Sequence, residues 1–209
     1  MWILKYGKRT SISMQKICIY CGSSVGKSEV YKRKAKELGQ VLALHQKQLV
    51  YGGGDIGLMG IIANEMLSRK AKVIGIIPQQ IVDLEVAHPN LTELIVVDSM
   101  ATRKTKLIEV SDAFIAMPGG FGTLDELFET LVLFQLNIIN KPTGLYNVNG
   151  YFDKMLEFID HMVGEGFVRK EHRDSIVVSE DPEVLIKKLN SIHQLPVDKW
   201  VDDIKEEEL

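Results

Sequence analysis

Two groups of residues in this 209-residue chain have types and spacing suited to chemistry. Residues 118–123 read PGGFGT, and the glycines let bare backbone N–H groups point outward at the start of a helix, where the helix dipole adds positive charge. That arrangement suits a single phosphate. Two carboxylates, Asp125 and Glu126, follow within a turn, which is unexpected beside an anion cradle. Thr123-x-x-Glu126 also has capping-box spacing, in which Glu126 would only bond back to the backbone of Thr123. Asp125 complements the dipole with or without a ligand. The second group is Arg103–Lys104, in the first turns of another helix. Basic residues there oppose the dipole, a small local cost that a bound anion could offset; an exposed, solvated pair is the plain alternative.

A second glycine loop, GGGDIG at 52–57, matches G-x-G-x-x-G between a strand and a helix. It follows the second strand instead of the first, and the acid expected about 20 residues on is missing. The glycines then serve tight turns and close helix–sheet packing. The lysine of a triphosphate-binding loop is absent too, which argues against a nucleoside triphosphate machine. Cys18 and Cys21 form C-x-x-C, but three residues apart on a strand they face opposite sides, as two buried or site-lining thiols and not a redox pair. His45, His161, His172 and His193 read as surface residues, and His88 has no evident role. No histidine or cysteine spacing suggests a metal, so no metal and no cofactor is expected.

Stepping along the chain, short apolar runs alternate with helical patterns. KICIYC, KQLVY, AKVIGIIP, TELIVVD, DAFIAMP, KPTGLYN and SIVVS read as seven strands. Helices are predicted over Glu29–Leu44, from the second glycine loop to about Arg69, from Asp98 or Ser99 to about Val110, from the PGGFGT loop to about Leu136, over about 151–165, and after Asp181, with Pro182 at the first helical position. Strands apolar on both faces predict a mainly parallel sheet covered by helices, a three-layer α/β/α sandwich. All the unusual residues follow strand ends, so they converge on the one edge where such sheets bind ligands. The fourth of these helices is apolar nearly all round (Leu127, Leu131, Val132, Leu133, Phe134, Leu136), which calls for burial in the core or against a second subunit.

Composition is that of an ordinary globular protein, 45% hydrophobic and 25% charged, with net charge −3. That balance attracts neither nucleic acid nor an anionic membrane over a broad surface. No apolar run is long enough to span a bilayer and no secretory signal is evident, so the expected compartment is the reducing cytoplasm. The expected organisation is an N-terminal extension over 1–14, a single domain over 15–193 and an acidic tail over 194–209.

CGSS, VYGGGDIGLMG, IIP, MATRK and PGGFGTLDE occur in the order and approximate spacing of the Lonely Guy family, which this sequence resembles from about Gln15 to Val178. The resemblance implies a Rossmann-like, typically dimeric phosphoribohydrolase. Such an enzyme cleaves cytokinin riboside 5′-monophosphates, or AMP, to free base and ribose 5-phosphate. It implies a catalytic pair at Arg103 and Glu126. Substrate contacts would come from Glu85, Arg103, Lys104, Gly119, Gly120, Phe121, Gly122, Thr123, Leu124, Asp125 and Glu126. Two positions depart from the family pattern: a histidine common before x-R-K is Ala101 here, and a threonine common in the following helix is Val132. The second bears on base or side-chain selectivity more than on the chemistry. "Lysine decarboxylase" labels attach to such sequences, yet no residue here points to a pyridoxal site.

The implied chemistry accounts for the acids. Cleaving an N-glycosidic bond builds positive charge on the ribose, which a nearby carboxylate stabilises. Amides at the helix start would hold the phosphate while Glu126 faces the sugar and positions or deprotonates water. Arg103 would orient the substrate; it is a poor proton donor. The proton for the departing base is left to water or a neighbouring carboxylic acid. A non-catalytic nucleotide or cofactor carrier on the same fold is the alternative from another class.

Overall fold

Burial of apolar runs four to six residues long sets the architecture. A computed structural model describes residues 14–84 and 87–192. The expected extension other than Met14, the tail, His193 and Glu85 lie outside these described residues. The strands are β1 (Lys16–Tyr20), β2 (Gln48–Tyr51), β3 (Val73–Pro78), β4 (Glu93–Val97), β5 (Ala113–Ala116), β6 (Thr143–Tyr146) and β7 (Val177–Ser179). They form one sheet in the order β4-β3-β2-β1-β5-β6-β7, and every pairing is parallel.

The helices are α1 (Glu29–Leu44), α2 (Gly57–Ser68), α3 (Gln79–Val82), α4 (Met100–Val110), α5 (Phe121–Gln135), α6 (Asp153–Gly164), α7 (Lys170–Asp174) and α8 (Pro182–Leu189). Two cores result, one on each face of the sheet. Ile17 and Ile19 of β1 pack with Leu38 and Leu42 of α1, Ile62 of α2 and Leu185 of α8. Cys18 and Tyr20, the alternate residues of the same strand, pack with Leu107 of α4, Leu127 of α5 and Leu156 of α6. This is the expected three-layer sandwich. Cys18 and Cys21 do fall in different cores, both buried and unpaired. Met14 also packs into the first core.

Several local expectations hold. Ser99 caps α4 by accepting from the Thr102 N–H at 3.1 Å, and Asp181 caps α8 by accepting from Glu183 and Val184 at 2.8 and 3.1 Å. Each such cap contributes about 1 kcal/mol. Two expectations need correction. The two-sided burial expected of the strands fails at β4, an edge strand whose Leu94 and Val96 are exposed. The capping box on α5 is also overturned: the helix starts at Phe121 with Gly120 as N-cap and no side-chain cap, so Thr123 is already its third residue. Short helices α3 and α7 were not predicted, since four or five residues carry too little periodicity to read.

Candidate active site

Because all strands run the same way, the loops after β1, β2 and β5 meet at one sheet edge. β1 and β5 are neighbours, yet α1 covers one face and α5 the other, so the chain departs in opposite directions from adjacent strands. In sheets of this kind such a switch point is where ligands bind.

The loops that leave β1 and β5 touch. The Gly22 N–H donates to Pro118 O at 3.1 Å, and a Cβ on Gly119 would lie 2.8 Å from Gly22 N and 2.1 Å from Thr123 Oγ1. Thr123 is thus a buried wedge under the loop, not a cap. Tyr151 Oη donates to Gly119 O at 2.5 Å and fixes the loop from the side of α6. Gly120 and Gly122, in contrast, have nothing within 4 Å of where a Cβ would stand. The first α5 backbone bond runs from Leu124 N to Gly120 O, which leaves the amides of Phe121, Gly122 and Thr123 outside the helix's own ladder. Phe121 is 93% exposed beside them. The helix start is thus open, with three backbone amides free of the helix ladder.

One turn into α5, Glu126 turns away from the loop and towards α4. Its carboxylate Oε1 accepts from Arg103 Nη2 at 3.4 Å, and the two side chains are only 13% and 14% exposed. Burial pushes the Glu126 carboxyl up to about 7, although the Arg103 guanidinium opposes the shift. Arg103 is otherwise sparsely held: Nη1 reaches only Met100 Sδ at 3.7 Å, and Nε is buried without a partner. Lys104 points outward to Asp125 Oδ2 at 3.0 Å and Glu129 Oε2 at 3.3 Å, and its hydrogen bond to Asp125 raises its pKa. Of the site residues expected from sequence, the structure therefore brings Arg103, Lys104, Asp125 and Glu126 together beside the 119–124 loop. Burial pushes both thiols, Cys18 and Cys21, well up, so neither is a nucleophile at neutral pH.

Sequence reasoning missed three supports of the site. Tyr151 is one; no local pattern marks it. His88 is another: it is buried, with Nε2 3.3 Å from Asn64 Oδ1 and 3.4 Å from Asp55 Oδ1, and its Nδ1 accepts from Asn90 N at 3.1 Å. Its own N–H donates to Gly53 O at 2.9 Å, so it ties the loop after β3 to the second glycine loop. The third is Gly52, beneath Arg103. Within that loop Gly53 and Gly57 have φ of +78° and +61°, and a Cβ on Gly57 would fall 2.2 Å from the Ser23 carbonyl carbon. These glycines serve turns and close packing, as expected.

Fold and site together define a Rossmann-like α/β protein with an open, glycine-rich helix start and a buried Arg–Glu pair at its switch point. Residues 59–189 match the family model described as "Possible lysine decarboxylase". The chain is 45% identical over 175 residues to the cytokinin riboside 5′-monophosphate phosphoribohydrolase LOG1 of Arabidopsis thaliana, spanning 84% of this chain and 82% of that protein. It is 42% identical over 177 residues to LOG5 of the same plant, spanning 85% and 78%. This chain belongs to the Lonely Guy (LOG) family.

Among solved structures, the molybdenum cofactor binding protein of Rippkaea orientalis aligns with a TM-score of 0.65 at 23% identity, over 87% of this chain and 98% of that one. The Moco carrier protein of Chlamydomonas reinhardtii aligns with a TM-score of 0.65 at 19% identity, over 85% and 98%. At that identity the likeness is one of fold. Among the described residues, no helix is long and apolar enough to cross a membrane.

Proposed function

We propose that this protein hydrolyses the N-glycosidic bond of purine riboside 5′-monophosphates, those of cytokinins and AMP included, to free base and ribose 5-phosphate. The observation that carries the reading is the buried Arg103–Glu126 pair, one turn from an open glycine-rich helix start. In this reading the amides of Gly120 to Thr123 hold the 5′-phosphate. Glu126, further along the same helix, faces the anomeric carbon, and Arg103 orients the nucleotide. As the C1′–N bond breaks, the Glu126 carboxylate stabilises the oxocarbenium-like ribose. The water oxygen bonds C1′ and its proton passes to Glu126, whose carboxyl, raised to about 7, suits a base at neutral pH. The departing purine takes its proton from solvent. Glu85, Lys104, Gly119, Phe121, Leu124 and Asp125 complete the substrate contacts.

The organisation that goes with this reading is a single domain over 15–193, working in the cytoplasm as a homodimer. Phe128, Val132 and Leu136, four residues apart on one face of α5, are exposed and support the dimer. A monomeric mass by light scattering at working concentration counts against it. The carrier alternative draws only on structures of 18–23% identity.

The deciding assay incubates the protein with AMP and with an N6-prenylated analogue and measures free base. Glu126→Gln should lower turnover by at least about 10²–10³-fold while nucleotide binding is largely kept. Persistent turnover in that variant rejects the mechanism.

A further inference from the structure

We infer that Gly52 is a positioning residue: the side chain it lacks leaves the slot at the end of β2 in which the Arg103 guanidinium lies beside Glu126. This rests on the reading that Arg103 and Glu126 act on the substrate. Gly52 is buried and is the first residue past β2. Its φ lies outside the left-handed region, unlike those of Gly53 and Gly57, so its own backbone does not require glycine. What requires it is space. A Cβ at Gly52 would lie 2.0 Å from Arg103 Nη2, 3.0 Å from Cζ and 3.5 Å from Nε.

Nη2 is also the atom that reaches Glu126 Oε1. No strong hydrogen bond fixes the rest of the guanidinium, given the partnerless Nε and the long contact from Nη1 to Met100 Sδ. Apart from the contact with Glu126, shape and not hydrogen bonding therefore holds this cation in place, and Gly52 is the floor of the slot. A methyl group there meets the far end of a flexible side chain, not backbone. The fold can absorb it by swinging the guanidinium away, and the pair with Glu126 cannot survive that swing. Glu126 would then lose the positive charge that holds its carboxyl down.

The test compares Gly52→Ala with the unaltered protein in base release from AMP, in its pH profile and in thermal unfolding. Expected are a Tm within about 4 °C, a fall in kcat on the order of 10²-fold, and an acidic limb of the profile moved to higher pH. In an Arg103→Lys background, whose slimmer ammonium fits over a methyl group, the same substitution should lower kcat far less; such non-additivity marks direct contact. Unchanged kcat and pH profile in Gly52→Ala overturn the inference, as does an equal loss in both backgrounds. If Gly52→Ala fails to fold, recovery of folding in the double variant supports the slot, and failure there too overturns it. Arg103→Ala separates the two levels. Full turnover in that variant rejects the catalytic reading itself; loss of turnover there with an unaffected Gly52→Ala rejects only the role of Gly52.

Discussion

The glycine loop after β2 and the one after β5 look alike on paper, and the first is the closer match to a nucleotide-binding fingerprint. In three dimensions they are opposites. Around the β2 loop four missing side chains are each matched by a neighbour: Arg103 at Gly52, Ile77 at Gly53, Ser23 at Gly57 and, in the helix that follows, Asp55 at Gly60. In the β5 loop Gly119 is similarly wedged against Gly22 and Thr123, but Gly120 and Gly122 face open space. Glycine thus serves close packing in one loop and access in the other. Only access offers room for a ligand.

Three substitutions can break or sharpen that contrast. The largest effect is expected from Gly57→Ala, which forces a side chain into a left-handed backbone and against the Ser23 main chain. A loss of about 3 kcal/mol, or roughly 10 °C in Tm, should appear in calorimetry. A neutral result there would end the claim that the β2 loop is closed by packing.

Next comes the ionisation of Glu126. Its folded-state pKa is raised to about 7 from an ordinary 4.5, so the folded form holds the proton more tightly than the unfolded chain. Ionising it in place therefore removes stability as pH rises from about 4.5 through 7, with no further loss above that. Glu126→Gln abolishes this dependence. Relative to the unaltered protein, the variant should gain about 2 kcal/mol between pH 5 and pH 8, read from denaturant unfolding at both values. Parallel pH dependences would mean that the carboxyl is not held in a desolvated site. The smallest effect is expected from Gly122→Ala. Its Cβ meets no protein atom, so Tm should stay within about 2 °C, while crowding of the phosphate raises KM for AMP about tenfold, or 1.4 kcal/mol. An unchanged KM would place the anion elsewhere.

Much of this was legible in the sequence because it depends on local pattern. Strand–helix alternation, the caps at Ser99 and Asp181 and the gathering of Arg103, Lys104 and PGGFGT at one edge all follow from periodicity and from the direction of parallel strands. The partner of Glu126 was legible only through the family resemblance. Its spacing from Thr123 fits a capping box equally well, and only the true helix start at Phe121 tells the two apart. His88 and Gly52 were silent for a related reason. Each acts on a residue distant in sequence, His88 on Asn64 and Gly53, Gly52 on Arg103, and no spacing rule records such a contact. β4 reads as apolar on both faces because the sequence does not say which strand ends at the edge.

The hydrogen bond from Gly22 to Pro118 has a kinetic corollary. It joins loops whose strands pair Ile17 with Ala113, so the half of the sheet from β1 to β4 can assemble before this contact exists. Closing so long a loop is among the slower events of folding. A refolding chain should then acquire its secondary structure ahead of its affinity for phosphate, and the return of nucleotide binding becomes a clock for the docking of one half of the sheet against the other.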